Sequence, residues 1–144
     1  MIIRQASPAD TLPIRLLLVQ LGYPLQEAEV ARNISSHTKD GYRILLADVD
    51  DQVVGFIALH WFDLVHWKEK MGRISSFCVD EGFRSKGVGK ALLKAAEQLL
   101  AENGCVKIEV TSNERRTRAH QFYLDLGYVE DSKRFAKYLQ QRPR

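Results

Sequence analysis

Phe77-Cys78-Val79-Asp80-Glu81-Gly82-Phe83-Arg84-Ser85-Lys86-Gly87-Val88-Gly89-Lys90 carries an apolar, strand-like run through a turn of glycines and cations into a helical pattern. Val88, Ala91, Leu92, Ala95, Ala96, Leu99 and Leu100 follow at three- and four-residue steps, Lys90, Lys94 and Glu97 point away, and Gly104 supplies the stop. Ile74 to Val79 before that helix and Val106 to Val110 after it read as strands. Strand, long helix, strand is a βαβ unit, which requires a parallel or mixed sheet covered by helices.

The turn has the chemistry of a phosphate cradle. Glycines let backbone N–H groups approach an anion, a helix N-terminus offers unpaired donors and partial positive charge, and Arg84, Lys86 and Lys90 add full charges. The bland alternative is a tightly packed helix start at Gly87 and Gly89. Two familiar phosphate motifs do not fit: a dinucleotide fingerprint needs glycine where Leu92 stands, and a P-loop needs Lys-Ser/Thr where Val88-Gly89 stand.

Outward from this unit, Ile2 to Gln5 reads as a first strand, and Ser7-Pro8-Ala9-Asp10 as the cap and first turn of a helix with Ile14, Leu17, Leu18 and Leu21 on one face. Gly22 and Pro24 end that helix. A second, weaker one covers Gln26 to Ser36. Tyr42 to Ala47 and Gln52 to Leu59 form a hairpin about the acidic turn Asp48-Val49-Asp50-Asp51, and Asp63 to Gly72 reads as a loop or the fraying end of the strand. Downstream, Thr117 to Leu126 is a helix ended by Gly127, and Lys133 to Leu139 a last strand.

The chain has 144 residues, 45% hydrophobic and 27% charged, which suits one soluble globular domain. Its net charge of +3 is too small to indicate nucleic acid, but the charge is divided. Residues 1–83 carry 8 Lys and Arg against 11 Asp and Glu, a net of −3, and residues 84–144 carry 13 against 7, a net of +6. Cys78 and Cys105 sit in apolar runs, as structural thiols in a reducing compartment do. Neither a signal peptide nor a membrane span is legible, so the expectation is a cytoplasmic protein.

Two ordered motifs resemble a known family. Arg84-Ser85-Lys86-Gly87-Val88-Gly89, with Phe77-x-Val79 before it, resembles the R/Q-x-x-G-x-G/A pyrophosphate loop of the GNAT superfamily of N-acetyltransferases. Asn113, Ala119, Phe122-Tyr123 and Gly127-Tyr128 are similar to that family's N…A…FY…GF/Y pattern. Asn113 through Phe135, with Ala119-His120 and Arg134-Phe135, most resembles small-amine acetyltransferases of the aminoalkylphosphonate type.

The resemblance implies an α/β (α+β) fold, a single domain over residues 1–144 with a mixed sheet of about six to seven strands flanked by about four helices. It implies acetyl-CoA as co-substrate, its pantetheine arm lying in a splay between parallel strands against Phe77, Cys78 and Val79, and its diphosphate on Arg84, Ser85, Lys86, Gly87, Val88, Gly89 and Lys90. An N–H near Val79 would polarise the thioester carbonyl, and Asn113 would touch the arm. Tyr123 would steady the leaving thiolate. Arg73, Ile74, Ser75, Ser76 and Phe77 offer no carboxylate for a base, so Ser76 or water would relay the proton, or the amine arrives neutral.

The implied acceptor is a small primary amine such as an aminophosphonate, polyamine or aminoglycoside. A peptide amine or a non-catalytic acyl-CoA-binding module are the competing readings. Arg115, Arg116 and Arg118 read as a solvated face, with contact to the cofactor 3′-phosphate or an anionic substrate as the sharper alternative. The lack of interleaved aromatics there speaks against RNA. Tyr23, Trp61, Phe62 and Trp67 are weighed as acceptor pocket against core or homodimer contact. His60, Asp63 and His66 are further polar candidates. No metal is expected, since in extended chain His60 and His66 stand roughly 20 Å apart.

Overall fold

The structure, a computed structural model, describes residues 1–111, 117–131 and 134–140. Met1–Val110 and Thr111–Arg144 form two compact units. The first contains β1 (Ile2–Gln5), a 3₁₀ turn (Pro8–Asp10), α1 (Thr11–Leu21), α2 (Glu27–Ser36), β2 (Tyr42–Val49), β3 (Gln52–Asp63), β4 (Lys70–Val79), a second 3₁₀ turn (Glu81–Phe83), α3 (Val88–Glu102) and β5 (Cys105–Val110). The strands form one sheet in sequence order, antiparallel except for the parallel pair β4–β5. This is the mixed α/β sheet with the βαβ unit where the sequence put it.

One face of the sheet is covered by α1 and α2. Ile14, Leu17, Val30 and Ile34 pack with Ile44, Leu46, Phe56, Ala58 and Cys78 in one buried cluster. The Arg4 guanidinium fixes the entry to α1, donating to both Asp10 carboxylate oxygens at 2.8 and 3.0 Å and to Asp48 at 3.3 Å. Asp10 also accepts the Ser7 backbone N–H at 2.8 Å. Gly22, at φ 105°, ends α1. In the β2–β3 turn Asp50 and Asp51 take φ of 51° and 65°, a left-handed pair that Asp tolerates and a two-residue hairpin needs.

The other face carries α3, which buries Val88, Leu92, Leu93, Ala96 and Leu100. Two glycines make room for it. A Cβ at Gly55 would lie 3.1 Å from Leu92 Cδ1 and 3.1 Å from the Cys78 carbonyl oxygen, and one at Gly72 would lie 2.9 Å from Leu100 Cδ1. Leu93, absent from the predicted stripe, is buried, and Glu97, expected to face away, is half-buried.

Three expectations are corrected. The sheet has five strands among the described residues rather than six or seven. Residues 134–140 form no strand, so the described part of Lys133 to Leu139 does not extend it. The loop expected within Asp63 to Gly72 is present as residues 64–69, but the strands beside it are longer than expected: β3 runs past Leu59 to Asp63, β4 begins at Lys70 rather than Ile74, and the two pair at Asp63–Lys70, secured by a 2.8 Å ion pair between those residues.

In the second unit α4 spans Thr117–Asp125, and Gly127 turns away at φ 91°. Among the described residues no helix is long and apolar enough to cross a membrane.

Two outcomes follow from this packing. Gly55→Val should destabilise the fold by about 1–3 kcal/mol through overpacking against Leu92 and the Cys78 carbonyl; an unchanged urea midpoint would remove the seating of α3 from the account. Asp10 is held below the usual carboxylate range by its hydrogen bond from Arg4, opposed by burial and helped by the Ser7 N–H. Its stabilising effect is therefore full above about pH 4 and lost as pH falls through the lower folded value. Asp10→Asn should flatten the acid limb of the stability profile.

Candidate active site

The parallel ladder between β4 and β5 runs from Lys70–Cys105 to Ile74–Val110. Among the described residues it stops there, while β4 continues along β3 to Val79–Gly55. Ile74–Val110 is the last pair of that ladder among the described residues, and we term this point of the sheet the fork. A bulge marks the same place: Ala58 pairs with Ser76 and Leu59 with Ile74, leaving Ser75 as the extra residue, its hydroxyl 3.4 Å from the Ala58 carbonyl oxygen. The bulge expected in this strand is thus present, at Ser75. Ser76 is half-buried on β4, opposite Ala58.

Beyond Val79 the chain is tied down before it reaches α3. The Asp80 carboxylate accepts the Gly82 N–H at 2.9 Å and the Gln20 side-chain amide at 2.8 Å, while the Gln20 carbonyl oxygen accepts the Glu81 N–H at 3.1 Å. Gln20 belongs to α1, so this helix braces the turn; nothing in its local sequence announces that role. The loop then takes left-handed turns at Ser85 (φ 63°) and Gly87 (φ 83°), and Gly87 caps α3. Alternating left-handed residues turn successive N–H groups toward one side, the geometry of an anion nest. Ala91 N–H donates to Gly87 O at 3.1 Å, so the N–H groups of Val88, Gly89 and Lys90 precede the helix's own bonding. The space that a Cβ at Gly87 would enter is open.

The expected cofactor residues divide by what they expose. Arg84, Ser85, Lys86, Gly87 and Lys90 are exposed and Gly89 is half-buried. Arg84 Nε donates to the Val79 carbonyl at 3.2 Å, and the Lys86 ammonium lies 5.3 Å from the Phe83 ring centroid. Val88 is buried in the core and offers only its backbone. Cys78 is buried toward α1, its thiol donating to Leu17 O at 3.4 Å, and Cys105 is half-buried on β5. Phe77 and Val79 are half-buried on the forked segment. Asn113, Arg115 and Arg116 lie outside the described residues.

Tyr123 is half-buried on α4, its ring 5.5 Å from that of Phe122 and 5.6 Å from that of Tyr128, and the Tyr128 N–H donates to the Tyr123 carbonyl at 3.0 Å. The second motif therefore forms a local aromatic cluster.

A further constellation was not foreseen. Tyr42, His60, Arg73 and Glu109 are successive cross-strand partners on β2, β3, β4 and β5. Tyr42 and His60 stack at 5.4 Å, His60 and Phe62 at 5.4 Å, and the Arg73 guanidinium lies 5.2 Å from the Phe62 ring centroid. Arg73 Nη2 donates to Glu109 Oε1 at 3.1 Å. Burial, then the charge of Arg73 and then His37, hold His60 below the usual histidine pKa. Of the other polar candidates, Asp63 is engaged with Lys70, and the exposed His66 lies against Trp67. Among the described residues no group of three or more metal-ligating side chains gathers. Trp61 is buried, whereas Tyr23 is exposed.

Residues 13–128 match the model of the acetyltransferase (GNAT) family. The chain is 32% identical over 142 residues to the aminoalkylphosphonate N-acetyltransferase of Salmonella typhimurium, covering 95% of this chain and 90% of that protein. Its fold is similar to that of a crystallised transcriptional regulator from Bacillus halodurans, with a TM-score of 0.87, 20% identity and coverage of 96% and 99%. It is also similar to an aminoglycoside N-acetyltransferase solved in complex with CoA, with a TM-score of 0.83, 21% identity and coverage of 98% and 95%.

The bracing of the turn is testable by itself. Asp80→Ala should speed amide exchange at Gly82 and Glu81 by about tenfold, the worth of a lost cap of roughly 1 kcal/mol or more; unchanged exchange would mean that Asp80 does not hold the turn.

Proposed function

The chain belongs to the GNAT acetyltransferase family, and from that membership we propose that it transfers the acetyl group of acetyl-CoA to the primary amine of a small molecule. The observation that carries this reading is the fork at Ile74 beside the Ser85–Gly87 nest. A forked strand gives an amide-bearing pantetheine arm a backbone to pair with, and a nest at a helix N-terminus gives a diphosphate its donors. Phe77, Cys78 and Val79 would serve the arm through their backbones, and Arg84, Ser85, Lys86, Gly87, Val88, Gly89 and Lys90 the diphosphate. Asn113 is carried over from the family pattern alone.

In the reaction the amine lone pair attacks the thioester carbonyl carbon, the C–S bond breaks, and the thiolate of CoA leaves. The amine's proton passes to solvent or to that thiolate. Tyr123 would donate a hydrogen bond to the developing thiolate; a phenol near pKa 10 is a weaker acid than a thiol near 8.5, so stabilisation rather than full proton transfer is its part. Ser76, near the bulge, remains the side-chain candidate for relaying the amine proton.

The acceptor class is a small amine of the aminophosphonate, polyamine or aminoglycoside kind, supported by the aminoalkylphosphonate-acetylating relative. The acidic half of the chain suits a cationic amine, and the basic half a polyanionic co-substrate. We take residues 1–144 as one acetyltransferase domain, because the family match at 13–128 runs through both compact units.

The test is thiol release from acetyl-CoA against a panel of amines. Turnover with at least one small amine is expected; no turnover on any amine and no rise in melting temperature with acetyl-CoA would overturn the reading. Replacing Gly87 and Gly89 together by Val should abolish the acetyl-CoA-dependent rise in melting temperature, because Val is strained at φ 83° and bulky in the cradle. Tyr123→Phe should lower kcat by about ten- to hundredfold, the worth of one hydrogen bond to a charged group, with acetyl-CoA affinity nearly unchanged. Wild-type kcat in that variant would remove Tyr123 from the mechanism.

A further inference from the structure

The cross-strand row Tyr42–His60–Arg73–Glu109 ends at the fork: Arg73–Glu109 is the last pair but one of the parallel ladder, directly before Ile74–Val110. Its Arg73 is held unusually. Of the five guanidinium N–H donors, the hydrogen bond to Glu109 Oε1 is the one made among the described residues, and the Nε–H is buried without a partner. The guanidinium carbon lies over the Phe62 ring, 5.2 Å from its centroid, while Glu109 pins one Nη. Both side chains of the pair are half-buried, at 34% and 26% exposure, so this is not a solvated surface ion pair.

Buried N–H groups of a cation are costly to leave unpaired. A planar guanidinium pinned at one corner, with donors to spare, is built to receive an oxyanion through two parallel hydrogen bonds. The rest of the row does not compete for that anion's place with positive charge, because His60 stays neutral at neutral pH. The row lies on β2 to β5, clear of the 84–90 loop, so its cation is separate from those assigned to the diphosphate.

We propose that Arg73 anchors an acidic group on the acceptor, and that the preferred acceptors are amines that also carry a phosphonate, phosphate or carboxylate. This rests on the acetyltransferase reading and narrows its substrate class. Such a molecule presents an anion to Arg73 and its amine to the fork next door. Glu109, beside Arg73, gives the amine's ammonium form a counter-charge before it loses its proton and attacks.

The test compares 2-aminoethylphosphonate and β-alanine with ethanolamine, an amine of similar length without the acid. The wild-type protein should favour at least one acidic amine over ethanolamine by about tenfold or more in kcat/KM, expressed mainly in KM, as charge-assisted paired hydrogen bonds are worth. Whichever of the phosphonate and the carboxylate is favoured identifies the anion. Arg73→Gln should erase that preference, and Arg73→Lys, which keeps the charge and loses the fork, should keep only part of it. A smaller wild-type preference, or one that Arg73→Gln leaves in place, overturns the proposal. The acetyl-CoA-dependent rise in melting temperature checks that each variant is folded. If acetyl-CoA binds but no amine turns over, it is the transfer reading that fails, and calorimetric titration with methylphosphonate decides the anchor: binding that Arg73→Gln removes supports it, and equal or absent binding overturns it.

Discussion

Leu92 and Leu100 rest on the sheet where Gly55 and Gly72 present no side chain, and the placing of α3 and of the connection that leads into it depends on that fit. The two leucines are eight residues apart, about 12 Å along the helix axis, so the contacts hold α3 at both ends rather than at a pivot. With α3 seated, its N-terminus at Gly87 is fixed in relation to β4, and the eight residues between Val79 and Val88 must turn tightly to connect them. Gln20 and Asp80 brace the first half of that connection, and left-handed backbone at Ser85 and Gly87 completes the second. The anion nest is therefore a consequence of helix-on-sheet packing.

The fork is the complementary consequence in the sheet. β5 follows β4 only as far as Ile74, and the bulge at Ser75 lets β4 bend away while still pairing with β3. A sheet that opens beside an anion nest can hold a long molecule with a phosphate end and an amide-bearing arm. In this family that molecule is acetyl-CoA, and in the proposed function its thioester would meet backbone donors of β4 that need no reorganisation to face a developing oxyanion. The chemistry asks little of side chains, which is why the most informative residues are glycines, a bulged serine and a strand register.

Much of this was legible in the sequence. Gly22, Gly87, Gly104 and Gly127, each at positive φ, punctuate the chain where helix patterns stop or start, and the apolar stripe of α3 between two strands implied the βαβ unit. The charge reversal at Arg84 marked the first residue of the proposed diphosphate loop. The extent of β3 and β4 was not legible, because Phe62-Asp63 and Lys70-Met71 lack a strand's clean alternation and owe their pairing to each other. Long-range register was hidden for the same reason. Nothing near Arg73 announces that Glu109, 36 residues on, will lie beside it, or that His60 and Tyr42 will complete the row. Residues 73–77 of β4 carry no carboxylate, yet the neighbouring strand brings that of Glu109 beside Arg73.

In the proposed function a polyanion lies on one side of the fork and an amine on the other, with the backbone of β4 between them. Amide chemical shifts recorded while acetyl-CoA is titrated into the protein test this most directly. The largest changes should fall at Ser75 to Val79 and at Arg84 to Lys90, with α2 and the β2–β3 turn little affected. Changes confined to other segments, or none at saturating acetyl-CoA, would contradict the fork and nest as the acetyl-CoA site.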